Sequence, residues 1–256
     1  MGVPSHNCKL KTANCQLPTA NCQLPTPNCK LPTANSQLKT AMIHDLSRRP
    51  GMLGVYITEL RDRTIQGDRL RFRHNLERVG ECMALEMARE WSFAEREITT
   101  PLGETTGVEL AEQPVLATIL RAGLPMHAGM LRMFDRADNA FISAYRRYDE
   151  GGQFEIAIDA MSAPTLEGRR VILIDPMLAT GASVVQVVRE LHRFGTPSQL
   201  VVACAIASRE GVAAVKERLG AGAEIWAAAI DDETTAKGYI VPGLGDAGDL
   251  AFGVKR

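Results

Sequence analysis

With 256 residues, 45% of them hydrophobic, the chain is long enough to bury one sizeable core or two small ones. Aromatics make up only 5%, a balance suited to an α/β protein whose helices pack closely on a sheet. A formal net charge of −1, with no apolar run near the roughly 20 residues of a membrane span, gives no reason to expect a nucleic-acid or membrane partner.

In chain order, the first feature is a repeat. Asn7, Asn14, Asn21, Asn28 and Asn35 each open a copy of Asn-Cys-Gln-Leu-Pro-Thr-Ala or a close variant. Pro18, Pro25 and Pro32 recur within it, and an interior proline costs a helix about 3 kcal/mol, so the heptad cannot wind as a coiled coil. Each copy offers too little apolar surface to offset chain entropy, and disorder is expected over residues 1–41. Cys8, Cys15, Cys22 and Cys29 lack zinc-site spacing. The stretch carries Lys9, Lys11, Lys30 and Lys39 and no acid, so the rest of the chain sets 25 basic residues against 30 acidic ones, a net of −5. The near-perfect copying suggests a translated DNA repeat, with the working protein starting at Met42 and residues 42–256 forming a single domain. No secretory signal is apparent, and a cytoplasmic location is expected.

Residues 68–91 read as a long helix with Leu76, Val79, Met83 and Met87 on one face. Arg61, Arg63, Arg69, Arg71 and Arg73 could suggest RNA, but interleaved Glu59, Asp62, Asp68 and Glu77 favour a solvated or subunit-interface face. Apolar, branched runs at 115–120, 141–145, 171–174, 200–206 and 224–230 read as strands. Helical stripes at 183–194 and 211–219 separate the last three and stop at Gly195 and Gly220. The alternation predicts an α/β fold, a mostly parallel central sheet flanked by helices on both faces, with ligands at the carboxyl ends of the strands. Cys82 and Cys204 sit in apolar surroundings and are expected to be buried rather than reactive.

The run after the third strand, Asp175-Pro176-Met177-Leu178-Ala179-Thr180-Gly181-Ala182-Ser183, carries the most information. A buried strand, an acid, a loop of small residues and a helix start together make an anion site, because free amides and the positive dipole end attract phosphate. Gly181 would let the backbone approach the oxygens, Thr180 and Ser183 can add hydroxyls, and Asp175 would reach sugar hydroxyls. Taken alone, the pattern fits an ordinary strand-to-helix turn capped by Ser183 about equally well. The full string closely resembles the phosphoribosyl pyrophosphate signature of uracil phosphoribosyltransferases. It departs from that signature at Ala182, where many members have Gly; a methyl group is tolerated there if the backbone is helical or extended.

A second string, residues 238–249, packs four glycines and a proline into twelve positions and is again nearly that of the same family. The resemblance implies that the backbones of Ile240 and Ala247, with Gly245, face the base, and that Asp246 lies by ribose and base. Leu250 replaces a basic residue common there. The resemblance also assigns Arg121 and Arg146, each at a strand's carboxyl end, to the diphosphate, which a guanidinium can grip bidentately. It spans residues 47–255 and implies the type I phosphoribosyltransferase fold.

The implied reaction transfers the phosphoribosyl group of phosphoribosyl pyrophosphate (PRPP) to uracil, giving UMP and pyrophosphate. Residues 175–183 would hold the 5′-phosphate and ribose, and Arg121 and Arg146 the diphosphate. Asp246 is the nearest candidate for a general base. Mg²⁺ would arrive on PRPP, with no metal ligand from the protein. A homo-oligomer, at least a dimer, is expected, and regulation by GTP is left open. His44, His74, His127 and His192 lack metal spacing and receive no catalytic role. A pyrimidine-sensing RNA-binding regulator on the same fold is the alternative, and the net charge of −5 beyond the repeat argues against it.

Overall fold

The computed structural model describes residues 42–148 and 154–255; the repeat and the disorder expected of it lie outside them. In chain order the elements are β1 (Ile43–Asp45), α1 (Met52–Arg61), α2 (Arg69–Ala88), β2 (Phe93–Thr100), β3 (Gly103–Leu110), β4 (Val115–Leu120) and α3 (Leu124–Met133). There follow β5 (Asp138–Tyr148), β6 (Phe154–Ser162), β7 (Arg170–Ile174), β8 (Met177–Leu178), α4 (Ala182–Leu191), β9 (Gln199–Ser208) and α5 (Arg209–Leu219). The last are β10 (Ala223–Asp231), β11 (Glu233–Thr234), β12 (Ile240–Val241) and α6 (Ala247–Phe252).

The sheet runs β1-β10-β9-β7-β4-β5-β6, with the short β8 adding to β9. Every pairing in it is parallel except that of β5 with β6. The central strands are buried on both faces, and strand periodicity sorts their side chains into two cores. Leu116, Ile172, Ile174, Val201 and Ala203 join residues of α1, α2, α3 and α6 on one face. Val115, Ala117, Val171, Leu173 and Val202 join α4 and α5 on the other. The mostly parallel, doubly covered sheet is therefore as expected.

The long helix is capped by Asp68, whose Oδ1 accepts from the amides of Leu70 (2.9 Å) and Arg71 (3.2 Å). It ends at Ala88, short of Trp91, and its stripe of Leu76, Val79, Met83 and Met87 is wholly buried. Cys204 is buried, and loss of solvation pushes its thiol well above the usual range. Cys82 is only partly buried, and its thiol is raised by burial and by Glu81 and Glu86. Among the elements with no counterpart in the sequence expectation are the antiparallel edge strand β6 and the β2–β3 hairpin, which is exposed along nearly its whole length.

Candidate functional site

A cleft of about 430 Å³ opens where the carboxyl ends of β4, β5 and β7 meet the segment after β12. Parallel strands direct these ends to one edge of the sheet, the ordinary ligand position of such folds. Its walls include residues from both sequence motifs.

On one wall, Asp175 follows β7. Its amide donates to the Ala203 carbonyl (3.1 Å), and its Oδ1 accepts from the Met177 amide (3.3 Å). The Ile206 amide donates to the Pro176 carbonyl (3.0 Å), and β8 then pairs beside β9, so the loop stays stitched to the sheet. Asp175, Met177, Ala179 and Ser183 line the cleft, whereas Pro176 and Leu178 are buried. Thr180, Gly181 and Ala182 form the turn into α4, with a long contact of 3.5 Å from the Ala182 amide to the Thr180 hydroxyl. Gly181 is left-handed (φ 73°), and a Cβ there would lie 3.1 Å from the Gly211 carbonyl oxygen and 3.3 Å from the Ala214 side chain. Glycine is thus favoured by its left-handed conformation, and a side chain there would press on α5. Ala182 is the first residue of α4 and helical, so its methyl group is accommodated. The amino end of this ten-residue helix, with the Ser183 side chain beside it, is suited to an anion.

Arg121 follows β4 through a cis Leu120–Arg121 peptide and lines the same cleft. Its Nη2 donates to Asp249 Oδ1 (3.2 Å) and to the Gly253 carbonyl (3.1 Å), while its Nε is buried and meets no acceptor among the described residues. Arg146 lies in β5, opposite Ile156 of β6; its side chain is outside the described residues. Tyr145, one residue earlier, lines the cleft.

The other wall is the segment 238–249. Ile240, Gly245, Asp246 and Ala247 all border the cleft, so the two sequence motifs are brought together. Gly243 is left-handed (φ 56°), and a Cβ there would come 2.2 Å from the Ile240 carbonyl oxygen, which makes this turn a glycine turn. Asp246 also serves as the N-cap of α6, its Oδ1 accepting from the Asp249 amide (2.9 Å).

The arginine-rich stretch, expected to be a solvated or subunit-interface face, divides in two. Arg61 pairs with Asp231 and binds the Gly243 carbonyl, and Arg73 donates to the Ala251 carbonyl (2.8 Å). These two arginines reach inward and hold the C-terminal segment. Arg63, Arg69 and Arg71 are exposed, Arg71 pairing with Glu59.

Tyr239, Asp249 and Lys255 also line the cleft without having been singled out. Asp249 stands three residues after Asp246, the spacing of a cap and its amide partner, which is a usable sequence signal. Lys255 had none. Away from the cleft, His44, Glu90 and Glu224 converge closely enough to suggest metal ligands. His44 stacks on Trp226 at 3.8 Å, and Glu224 already accepts from Trp226 Nε1 (2.8 Å) and Gln199 Nε2 (2.6 Å), so the group reads as a packing network.

Comparison with known proteins places the chain in a family. The model of the family described as uracil phosphoribosyltransferase matches residues 50–254. A uracil phosphoribosyltransferase of Porphyromonas gingivalis is 46% identical over 214 residues, covering 84% of this chain and 99% of its own. One from Methanothermobacter thermautotrophicus is 40% identical over 199 residues, covering 77% of this chain and 89% of its own. Among solved structures, the AQ2163 protein of Aquifex aeolicus superposes with a TM-score of 0.74 at 30% identity, over 83% of this chain and 99% of its own. With the strand-to-helix turn at 175–183 and the glycine-rich loop across one cleft, and a family match over most of its length, the chain belongs to the uracil phosphoribosyltransferase family.

Proposed function

We propose that the chain transfers the phosphoribosyl group of PRPP to N1 of uracil, releasing pyrophosphate and forming UMP. The observation that carries this reading is that Asp175 and Ser183 share one cleft with Ile240, Gly245 and Ala247. A sugar phosphate held by the first pair would present its anomeric carbon to a base held by the second set. The reacting carbon passes through an oxocarbenium-like state, so the protein's contribution is positioning and charge stabilisation. In this reading the amino end of α4 and Ser183 anchor the 5′-phosphate, and residues 176–182 supply the backbone of that cradle. Asp175 orients the ribose hydroxyls and stabilises positive charge on the ring. Arg121 and Arg146 draw off the diphosphate, Arg121 exchanging its hold on Asp249 for phosphate oxygens. Asp246 is the nearest group able to take the N1 proton, through the oxygen not engaged in capping α6.

The carboxylates of Asp175, Asp246 and Asp249 are the cleft's oxygen groups that would face a hydrated Mg²⁺ brought in by PRPP. Carried in on PRPP, Mg²⁺ would screen the diphosphate and make it a better leaving group. A cytoplasmic site of action fits the free thiols of Cys82 and Cys204. Among the described residues no helix is long and apolar enough to cross a membrane.

A homo-oligomer, at least a dimer, is supported by the β2–β3 hairpin. Two strands alone are marginally stable in water, and this pair leaves Phe93, Ile98, Leu102 and Val108 exposed. Replacing Leu102 and Val108 together by Glu is expected to shift the protein to monomer in size-exclusion chromatography with light scattering. An unchanged oligomer would remove the hairpin from the interface.

The test of the reaction is a competition among uracil, cytosine and 5-fluorouracil for PRPP. The Ile240 carbonyl would accept from uracil N3–H, while amides around Gly245 and Ala247 donate to a flanking oxygen. Cytosine reverses two of these polarities, each mismatch costing about 1–3 kcal/mol, so its kcat/KM is expected to fall by about 10⁴-fold. Fluorine at carbon 5 leaves the hydrogen-bonding edge intact, and 5-fluorouracil is expected to react. Comparable rates with cytosine would sink this assignment of the pocket. The RNA-binding alternative finds no support among the relatives, which carry the transferase name.

A further inference from the structure

The segment that borders the cleft from Ile240 to Ala247 is fastened at its midpoint from outside. Arg61, the last residue of α1, donates through Nη1 to Asp231 Oδ2 (2.8 Å) and through Nη2 to Asp231 Oδ1 (2.8 Å), a two-pronged pair. The same Nη1 reaches the Gly243 carbonyl (3.1 Å), and Asp231 Oδ2 accepts from the Gly243 amide (2.9 Å). Both polar backbone groups of Gly243 are therefore held by one ion pair. Nearby, Gln66 Nε2 donates to the Leu60 carbonyl (2.9 Å) and, more distantly, to that of Leu244 (3.3 Å). Neither Arg61 nor Asp231 lines the cleft, and their side chains are only 23% and 9% exposed.

We infer that Arg61, through Asp231, is a positioning residue for base recognition, fixing Gly243 and hence the backbone of Ile240 and Gly245 at the spacing that a pyrimidine edge requires. The inference rests on the reading that residues 240–247 hold uracil. A bidentate pair of low exposure sets direction as well as distance, which a lysine or a carboxamide does not reproduce. Hydrogen bonds to a base tolerate only a few tenths of an ångström, so slack at Gly243 would loosen the base site. The 5′-phosphate cradle, which is stitched to β9, would keep its geometry.

The experiment compares four variants of the full chain in steady-state kinetics and thermal melts. Arg61→Lys keeps the charge without the fork, and the isosteric Asp231→Asn serves should Arg61→Lys fail to fold. Glu59→Gln breaks the neighbouring α1–α2 pair with Arg71, which does not touch the loop, and controls for lost stability. Gly245→Val alters the loop itself. Arg61→Lys and Asp231→Asn are expected to raise KM for uracil about tenfold while KM for PRPP stays within about twofold. Glu59→Gln is expected to leave both constants unchanged, and Gly245→Val to raise KM for uracil. If the clamp variants change only kcat, or move both KM values together, while Gly245→Val raises KM for uracil, the positioning role is wrong and the loop assignment survives. If Gly245→Val leaves KM for uracil unchanged, the loop assignment falls and the inference with it.

Discussion

Between Asp175 and Ser183 the chain keeps returning to the central sheet, through the Asp175 amide, the Pro176 carbonyl and β8. Between Tyr239 and Ala247 the only strand pairing is that of the two-residue β12 with β11, and side chains distant in sequence do the holding. The first wall of the cleft is fixed by backbone hydrogen bonds and by Gly181 against α5. The second is fixed by an arginine 182 positions away from the glycine it grips. A phosphate is common to many substrates and suits a cradle that the fold itself supplies. On the proposed function, reading the edge of one base requires finer placement, which would fall to side chains that can change without disturbing the sheet.

That contrast can be broken most sharply at Asp175. Asp175→Asn is expected to lower kcat by about 10²-fold with uracil and 5-fluorouracil alike, since ribose loses an ionised partner where charge develops. A base-dependent effect, or none, would move Asp175 out of the cradle's chemistry. Gly181→Ala probes the same wall through its backbone. A side chain at a left-handed position costs about 1–3 kcal/mol, and contact with α5 adds to it, so a melting temperature lower by several degrees and a higher KM for PRPP are expected. If instead KM for uracil alone rises, the two walls are not independent. A chain beginning at Met42 sets the zero of the scale: its turnover and melting temperature are expected to match those of the full chain, and a large loss would show that residues 1–41 contribute to the enzyme.

The same contrast explains what could be read from the sequence. The β4, β7, β9 and β10 runs were legible because strands buried on both faces are continuous apolar stretches, and α4 because Val184, Val187, Val188 and Leu191 repeat with helical period. The Asp175–Ser183 segment was legible as a strand-to-helix turn because it is local in sequence, and its reading as an anion site came from the resemblance of the full string. The β2–β3 hairpin was not, because strands exposed on both faces carry no apolar alternation. Nor was the part played by Arg61 and Arg73. An arginine among acids looks solvated until the fold brings Asp231 and the Ala251 carbonyl to it. Lys255 reaches the cleft by topology alone.

Ala182 has a thermodynamic side. Because Gly181 supplies the left-handed residue, the next position begins α4 as an alanine. Alanine explores far less backbone space than glycine, and in a helix the difference amounts to about 0.5–1 kcal/mol. The chain therefore surrenders less freedom in forming the first turn of α4, and a phosphate bound there, as proposed, would meet a turn whose ordering was largely completed during folding. With glycine in place of Ala182, part of that entropy loss would fall on ligand binding instead.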